Sequence, residues 1–263
     1  MKNLIVLRGG GDIASGIAHR LVRSGFLVII LETDQPTMVR RTVSFAQGIY
    51  DGEMMVEGIT GKKVNTTKEA LQIMDKSTIP LLIDPKAECI SDLRPTVVVD
   101  AILAKKNIGT TIDMAPIVIG VGPGFYVGKD VHAVIETKRG HDLGRVLLQG
   151  QAIADTGIPG NIGGYTIERV LRAPKKGIFY AIKKIGDQVQ KGEAVAKIDG
   201  EIVYASISGV LRGLLQNGIL VSSGLKIGDI DPRAEVKHCY TISDKARSIG
   251  GGVLEALLYL KNR

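Results

Sequence analysis

The chain has 263 residues, 4% of them aromatic and none of them tryptophan, and carries a formal net charge of +7. This length exceeds one typical domain, so two domains are predicted. Lysine and arginine are spread along the chain, and with so few aromatic side chains the composition argues against a nucleic-acid partner. The longest apolar run, residues 26–31, is far shorter than the roughly 20 residues of a membrane span, so no membrane partner and no signal peptide are predicted.

The first part of the chain has the pattern of an α/β domain. A short apolar run at residues 4–7 leads into a glycine turn, a helix-like segment and a second apolar run at 26–31. Further apolar runs follow at 80–83, 97–99, 117–121 and 131–135. Strands that alternate with helical segments favour a parallel sheet. The prediction is a Rossmann-like α/β domain over residues 1–166.

A glycine loop follows the first strand and opens the first helix, as in the dinucleotide-binding fingerprint. Glu32 ends the next strand, where an acid would bind a ribose hydroxyl and favour an adenine dinucleotide such as NAD over NADP. Asp12 argues against this, because a carboxylate in the loop would oppose a pyrophosphate. A purely structural turn is the alternative. The candidate residues of this loop and strand are Gly9, Gly10, Gly11, Asp12, Ala14 and Glu32.

Two further segments are candidates for anion binding. Arg40 and Arg41 follow the Glu32 strand and could clamp a phosphate, although an exposed charged turn explains them too. Gly122 lies in a second glycine loop after an apolar strand, where free backbone N–H groups could bind an anion and a plain turn is the alternative.

The sequence offers three catalytic candidates. His132 and Glu136 would share one face of a strand, which suits acid–base work, although a solvated strand face explains them equally well. Too few ligands accompany them for a metal, so no metal site is predicted. Cys89 lies near Lys86, which could activate its thiol, but a buried and inert thiol is the alternative. Because Cys89 and Cys239 stand alone in sequence, a reducing cytoplasm is expected and a disulfide framework is not.

A glycine and valine repeat marks the second part of the chain. The residues Gly186, Val189, Gly192 and Val195 recur thirty-two positions later as Gly218, Val221, Gly224 and Ile227. This spacing resembles the barrel-sandwich hybrid of biotinyl and lipoyl carrier domains, predicted over residues 167–233. The hairpin tip reads Asp199-Gly200-Glu201, so the modified lysine of those carriers is missing.

The final segment, residues 234–263, is predicted to be helical and to pack back on the first domain. Ser243 or Asp244 would be the N-cap. The glycines 250–252 interrupt this helix pattern. Close packing is the favoured explanation, and a new helix start with free N–H groups is the alternative.

Several of these segments together resemble one family: residues 8–16, 40–43, 120–125, 130–137, 139–145 and 228–233. They are similar to the YqeB family of selenium-dependent molybdenum hydroxylase system proteins, which is distantly similar to xanthine dehydrogenase maturation factors. The resemblance covers essentially the whole chain. It implies a cytoplasmic accessory protein whose partners are a molybdenum hydroxylase client and other maturation proteins, and it assigns no catalytic residue.

The function expected from the sequence is therefore molybdenum hydroxylase maturation, with an anionic small molecule bound at the glycine loop. A molybdopterin-type cofactor or an adenine dinucleotide would suit the loop and the paired arginines. The alternative is an NAD-dependent oxidoreductase with His132 and Glu136 as the acid–base pair and the barrel as a structural lid. Whether the protein is an enzyme, and whether it forms a homo-oligomer, stays open.

Overall fold

The structure is a computed structural model and describes residues 3–263. The chain divides into two compact units. The first contains residues up to 36, residues 44–156 and residues 242–263, and the second contains residues 37–43 and 157–241. In the part of the chain described, no helix has the length and hydropathy needed to cross a membrane.

The first unit is built on one nine-stranded sheet in the order β3-β4-β5-β2-β1-β6-β7-β8-β9. The strands are β1 (Leu4–Arg8), β2 (Leu27–Glu32), β3 (Glu53–Val56), β4 (Ile59–Val64), β5 (Thr78–Ile83), β6 (Val97–Asp100), β7 (Ile117–Val121), β8 (Ala133–Ile135) and β9 (Val146–Leu147). The central strands are apolar except at their carboxyl ends, since both of their faces are buried.

The sheet is mixed, which corrects the predicted Rossmann-like domain with a parallel sheet. β3 pairs antiparallel with β4 at one edge, and β9 pairs antiparallel with β8 at the other. The hairpin of β3 and β4 turns at Glu57 and Gly58, both with positive φ. Its half-exposed strands lack the buried apolar run by which the other strands are recognised in the sequence.

The helices of the first unit are α1 (Asp12–Arg23), α2 (Gly48–Asp51), α3 (Thr67–Ile73), α4 (Ile90–Leu93) and α5 (Asp244–Lys261). Helix α1 buries Ile13, Ile17 and Leu21 at a spacing of one turn. Gly25, with φ of 89°, ends it: the Gly25 N–H donates to the carbonyl of Val22. Of the two N-cap candidates of α5, Ser243 caps the helix by accepting a hydrogen bond from Ala246 N at 3.2 Å.

Helix α5 packs against α1 through small residues. A Cβ on Gly16 would lie 2.6 Å from Cβ of Ala246, and a Cβ on Gly250 would lie 3.0 Å from the carbonyl oxygen of Gly16. A Cβ on Gly252 would overlap the carbonyl oxygen of Gly144. The three glycines 250–252 lie inside one continuous helix, and two of them make close approaches to backbone that a larger residue would prevent.

The second unit contains β10 (Val170–Arg172), β11 (Gly177–Ala181), β12 (Gln188–Val189), β13 (Ala194–Ile198), β14 (Glu201–Tyr204), β15 (Gly209–Leu214), β16 (Leu220–Val221) and β17 (Lys226–Asp231). They form two four-stranded antiparallel sheets, in the orders β10-β17-β15-β12 and β14-β13-β11-β16. The repeated glycines Gly186, Gly192, Gly218 and Gly224 all have positive φ at turns.

The predicted biotinyl or lipoyl-like barrel-sandwich hybrid is therefore also corrected. The glycine spacing identifies the turns, but turns alone do not determine which strands pair or how the sheets are composed.

Candidate functional site

The parallel strands of the first unit end on one edge of the sheet, and polar side chains gather there. Arg8 ends β1, Glu32 ends β2, Asp100 ends β6 and Glu136 follows β8. In open α/β sheets, ligands bind outside the carboxyl ends of the strands. We therefore take this carboxyl edge, together with the first turns of α1 and α5, as the candidate site.

The glycine loop between β1 and α1 is held by contacts within its own unit. Gly9 has a φ of 94°, and a Cβ there would lie 3.0 Å from the carbonyl oxygen of Ala101. The carbonyl oxygen of Gly10 accepts a hydrogen bond from Ala46 N at 2.9 Å. Gly11 is the N-cap position of α1 and offers no side chain to cap it. Ala14 is buried in the helix. Close backbone packing thus accounts for Gly9, whether or not a ligand binds.

Glu32 is bound to this loop directly. One carboxylate oxygen accepts a hydrogen bond from Gly10 N at 2.8 Å, and the other accepts one from Thr33 N at 2.8 Å. Burial raises the pKa of Glu32, and the two backbone N–H donors only partly oppose this effect. The backbone N–H of Gly10 is therefore already satisfied by a protein carboxylate, which a bound anion would have to displace.

The raised pKa of Glu32 predicts a specific pH dependence of stability. The charged form is disfavoured in the folded state, so the free energy of unfolding should fall as pH rises from the ordinary value of 4.5 through the raised folded value. In Glu32→Gln this part of the decrease should be absent. Urea unfolding of both proteins across this pH range measures it, and the exposed Glu255→Gln serves as the control. An identical decrease in wild type and Glu32→Gln would contradict the prediction.

A buried ion pair fills the space between β1 and β6. The side chains of Arg8 and Asp100 are each 2% exposed, and a guanidinium nitrogen of Arg8 lies 3.4 Å from a carboxylate oxygen of Asp100. Thr110 donates its hydroxyl to the same carboxylate at 2.6 Å and also contacts the guanidinium. Arg8 donates further to the carbonyl oxygen of Pro85 at 3.1 Å. This network joins the ends of β1 and β6 to the segments that carry Pro85 and Thr110, and it buries the Arg8 guanidinium.

Lys245 lies in the first turn of α5, at the carboxyl edge of the sheet, and its side chain is partly buried. It lies within electrostatic range of Arg139, Asp12, Glu136 and Asp155. Burial lowers the pKa of Lys245, the positive charge of Arg139 lowers it further, and the three carboxylates oppose the shift. A larger fraction of this amine is therefore neutral than in an exposed lysine.

Arg139 is oriented beside this amine by an ion pair. Its guanidinium makes two hydrogen bonds to the carboxylate of Asp244, at 2.6 and 3.0 Å. Asp244 opens α5, where a negative charge complements the helix dipole. Asp155 forms an ion pair with Lys105, whose Nζ lies 2.7 Å from a carboxylate oxygen of Asp155. The positive charges near Lys245 are thus held in place by neighbouring acids.

The structure does not bring the predicted acid–base pair together. His132 precedes β8, and its Nδ1 accepts a hydrogen bond from Val118 N at 3.0 Å. Glu136 follows β8 at the opposite end, roughly 13 Å away along an extended strand. Glu136 is 2% exposed, and its carboxylate accepts hydrogen bonds from the backbone N–H groups of Thr137, Lys138 and Ile153. Glu136 therefore fixes loops at the carboxyl edge.

Arg40 and Arg41 lie in the second unit and bind its backbone. Arg40 donates to the carbonyl oxygens of His238 at 2.8 Å and Thr241 at 3.2 Å. Arg41 donates to the carbonyl oxygen of Leu214 at 2.8 Å and to the side chain of Gln216. Both guanidinium groups thus have acceptors within their own unit.

Two other predicted site residues, Gly122 and Cys89, are closely packed or buried. Gly122 has a φ of 83°, and a Cβ there would lie 2.9 Å from the hydroxyl oxygen of Thr137. Cys89 is buried, and its N–H donates to Asp84 at 2.9 Å. Burial and the nearby Asp84 carboxylate raise the pKa of the Cys89 thiol, which disfavours the reactive thiolate.

Sequence reasoning missed Lys245. The sequence carried one signal for it, since a lysine in the first turn of a helix opposes the helix dipole. No local pattern could show that α5 places this residue beside the ends of β1 and β8, because more than a hundred residues separate them.

A curated relative supports the resemblance noted in the sequence. The uncharacterized protein YqeB of Escherichia coli (strain K12) is 52% identical over 260 residues, which are 99% of this chain. The chain belongs to the YqeB family. It spans about half of the length of that relative, 48%. The link to selenium-dependent molybdenum hydroxylases is not shown by this match, and no protein-family model matches the chain.

Solved structures show only distant likeness. The product-bound ectoine utilization protein EutE (DoeB) from Ruegeria pomeroyi is 11% identical, with 87% of this chain and 85% of that chain covered and a TM-score of 0.28. An aspartoacylase family protein from Mesorhizobium loti is 12% identical, with 86% and 84% covered and a TM-score of 0.29. A succinylglutamate desuccinylase from a Silicibacter species is 12% identical, with 87% and 84% covered and a TM-score of 0.25. Likeness at this level carries no activity to this chain.

These comparisons correct the expected function. The similar structures are an ectoine utilization protein, a succinylglutamate desuccinylase and an aspartoacylase family protein, and they are neither molybdenum hydroxylase maturation factors nor NAD-dependent oxidoreductases. Both functions expected from the sequence are contradicted. Binding of a molybdopterin-type cofactor or an adenine dinucleotide at the glycine loop stays a prediction, as do the partners expected from the sequence.

Proposed function

We propose that the first unit acts on a small carbonyl-bearing molecule at the carboxyl edge of its sheet, with Lys245 as the reactive amine. The observation that carries this proposal is the position of Lys245: a partly buried amine beside the start of α1 and the end of β8. A lysine that is desolvated and lies next to another cation is the arrangement by which proteins obtain a nucleophilic amine at neutral pH.

The chemistry follows from the neutral amine. The Lys245 nitrogen attacks the carbonyl carbon, a C–N bond forms, and the carbonyl oxygen takes up a proton. The resulting carbinolamine loses this oxygen as water and becomes an imine. The carboxylates of Asp12 and Asp155 lie within electrostatic range of Lys245 and are the groups available to accept and return protons.

Aldehyde labelling tests the proposed amine. Pyridoxal forms imines with neutral lysine amines, and sodium borohydride then reduces them to stable adducts that peptide mass mapping locates. At neutral pH we expect Lys245 to be labelled faster than Lys261, because burial and the nearby Arg139 charge lower the pKa of the Lys245 amine. The Lys245→Arg variant should lose this fast labelling, and Lys261→Arg, a matched change in the same helix, should retain it.

Two results would contradict the proposal. Labelling of Lys245 no faster than that of Lys261 would show that the Lys245 amine is not unusually reactive. The second result is fast pyridoxal labelling of Lys245 with no borohydride-trapped adduct from a panel of 2-oxo acids and small aldehydes. It would show a reactive lysine that has no carbonyl substrate of these classes.

A further inference from the structure

The outer face of one sheet in the second unit carries a row of exposed apolar side chains. We name it the tyrosine face and define it by Ile178, Tyr180, Lys197, Ile202, Tyr204 and Leu220. Strand register places Tyr180 opposite Lys197, and Lys197 opposite Ile202. Ile178 pairs with Leu220. Directly paired residues of neighbouring strands point to the same side of a sheet, as do residues two apart on one strand.

The burial pattern agrees with this assignment. On the opposite side of the same strands, Phe179, Ala196 and Ile198 are completely buried and form the core. On the tyrosine face, Tyr180 is 46% exposed, Tyr204 57% and Leu220 58%. The core of this unit is thus complete without these side chains. Contiguous exposed apolar surface of this kind marks interaction sites in soluble proteins.

The lysines on and beside the face outnumber the acids that pair with them. Lys175 and Lys183 are neutralised by ion pairs with Glu201 and Glu193. By contrast, Lys176, Lys184 and Lys197 form no ion pair with any of residues 3–263. Lys197 stands in the middle of the face, 5.9 Å from the centroid of the Tyr180 ring. A partner that covers the face must supply negative charge for these lysines.

We propose that the tyrosine face docks an acidic segment of a partner protein. Apolar side chains of that segment would cover Tyr180, Tyr204 and Leu220, and its carboxylates would meet Lys197 and the flanking lysines. The aliphatic content of the face favours a protein over single-stranded nucleic acid, because nucleic-acid surfaces rely on aromatic platforms for base stacking. This inference is independent of Lys245 and of the first unit's chemistry.

Peptide display on the intact protein tests the surface. Short random peptides selected on the wild-type chain should be enriched in Asp and Glu together with apolar residues. A fluorescent version of a selected peptide should lose about tenfold or more in affinity on Tyr204→Ala/Leu220→Ala. Affinity should also fall with added salt and in Lys197→Glu. All three residues are exposed, so the variants should remain folded.

The matched control is Tyr126→Ala/Leu258→Ala, which removes an exposed tyrosine and an exposed leucine of the first unit and should bind the peptide as wild type does. Four outcomes would overturn the proposal. The first is no peptide enrichment, and the second is enrichment without acidic residues. The third is binding of a single-stranded oligonucleotide that Tyr204→Ala abolishes. The fourth is self-association in sedimentation that the same variant disrupts.

Discussion

Replacing Gly252 by alanine should destabilise the first unit strongly, whereas the same change at the neighbouring Gly251 should stabilise it. A Cβ on Gly252 would overlap the carbonyl oxygen of Gly144, which is backbone and cannot rotate away. Overpacking of this kind costs about 1–3 kcal/mol or more. A Cβ on Gly251 meets nothing within 4 Å. There alanine contributes its better helix propensity, about 1 kcal/mol.

Thermal or urea unfolding of the two variants measures the effect. The pair is matched, since both substitutions add one methyl group at adjacent positions of α5. Destabilisation of both variants would contradict the continuous helix, and stabilisation of both would contradict the close approach to Gly144. The expected difference in the free energy of unfolding between the two is about 3 kcal/mol.

Replacing Asp100 by alanine should cost about 3–5 kcal/mol of folding free energy, because the guanidinium of Arg8 would stay buried without its carboxylate. Thr110 and the N–H of Ile102 would lose their acceptor at the same time. Replacing both charged groups, in Arg8→Met/Asp100→Leu, should cost clearly less than Asp100→Ala alone, since no unpaired charge is left.

Urea unfolding provides the measurement for this series too. Lys86→Ala is the control, because its ion pair with Glu88 joins side chains that are 83% and 77% exposed. Such pairs contribute about 0–1 kcal/mol. If the double replacement were as destabilising as Asp100→Ala, the cost would come from lost packing at the carboxyl edge and not from the uncompensated charge.

Much of the first unit could be predicted from the sequence. Apolar runs identify β1, β2, β5, β6 and β7, because strands buried on both faces have polar residues only at their ends. The β3–β4 hairpin could not be recognised in this way, since its strands are half-exposed and contain no long apolar run. The mixed character of the sheet was missed for the same reason. In the second unit, the repeated glycines identified the turns but not the sheets into which the strands assemble.

The candidate site also contains residues that the sequence indicated and residues that it misjudged. A glycine loop after a strand is a local pattern, and the sequence alone indicated Gly9 through Asp12 and Glu32 as neighbours of the sheet edge. His132 and Glu136 show the limit of such patterns, because two residues on one strand face can lie at opposite ends of that strand.

The sequence by itself determined the buried strands, the turns, the extent of α1 and the start of α5, since these depend on residues near one another in the chain. Only the tertiary structure decided that Lys245 lies beside Asp12 and Glu136, that Arg8 and Asp100 share a buried pair, and that Gly252 touches Gly144. Each of these contacts joins segments far apart in sequence. Their formation depends on packing of the whole sheet against its helices, which no local pattern encodes.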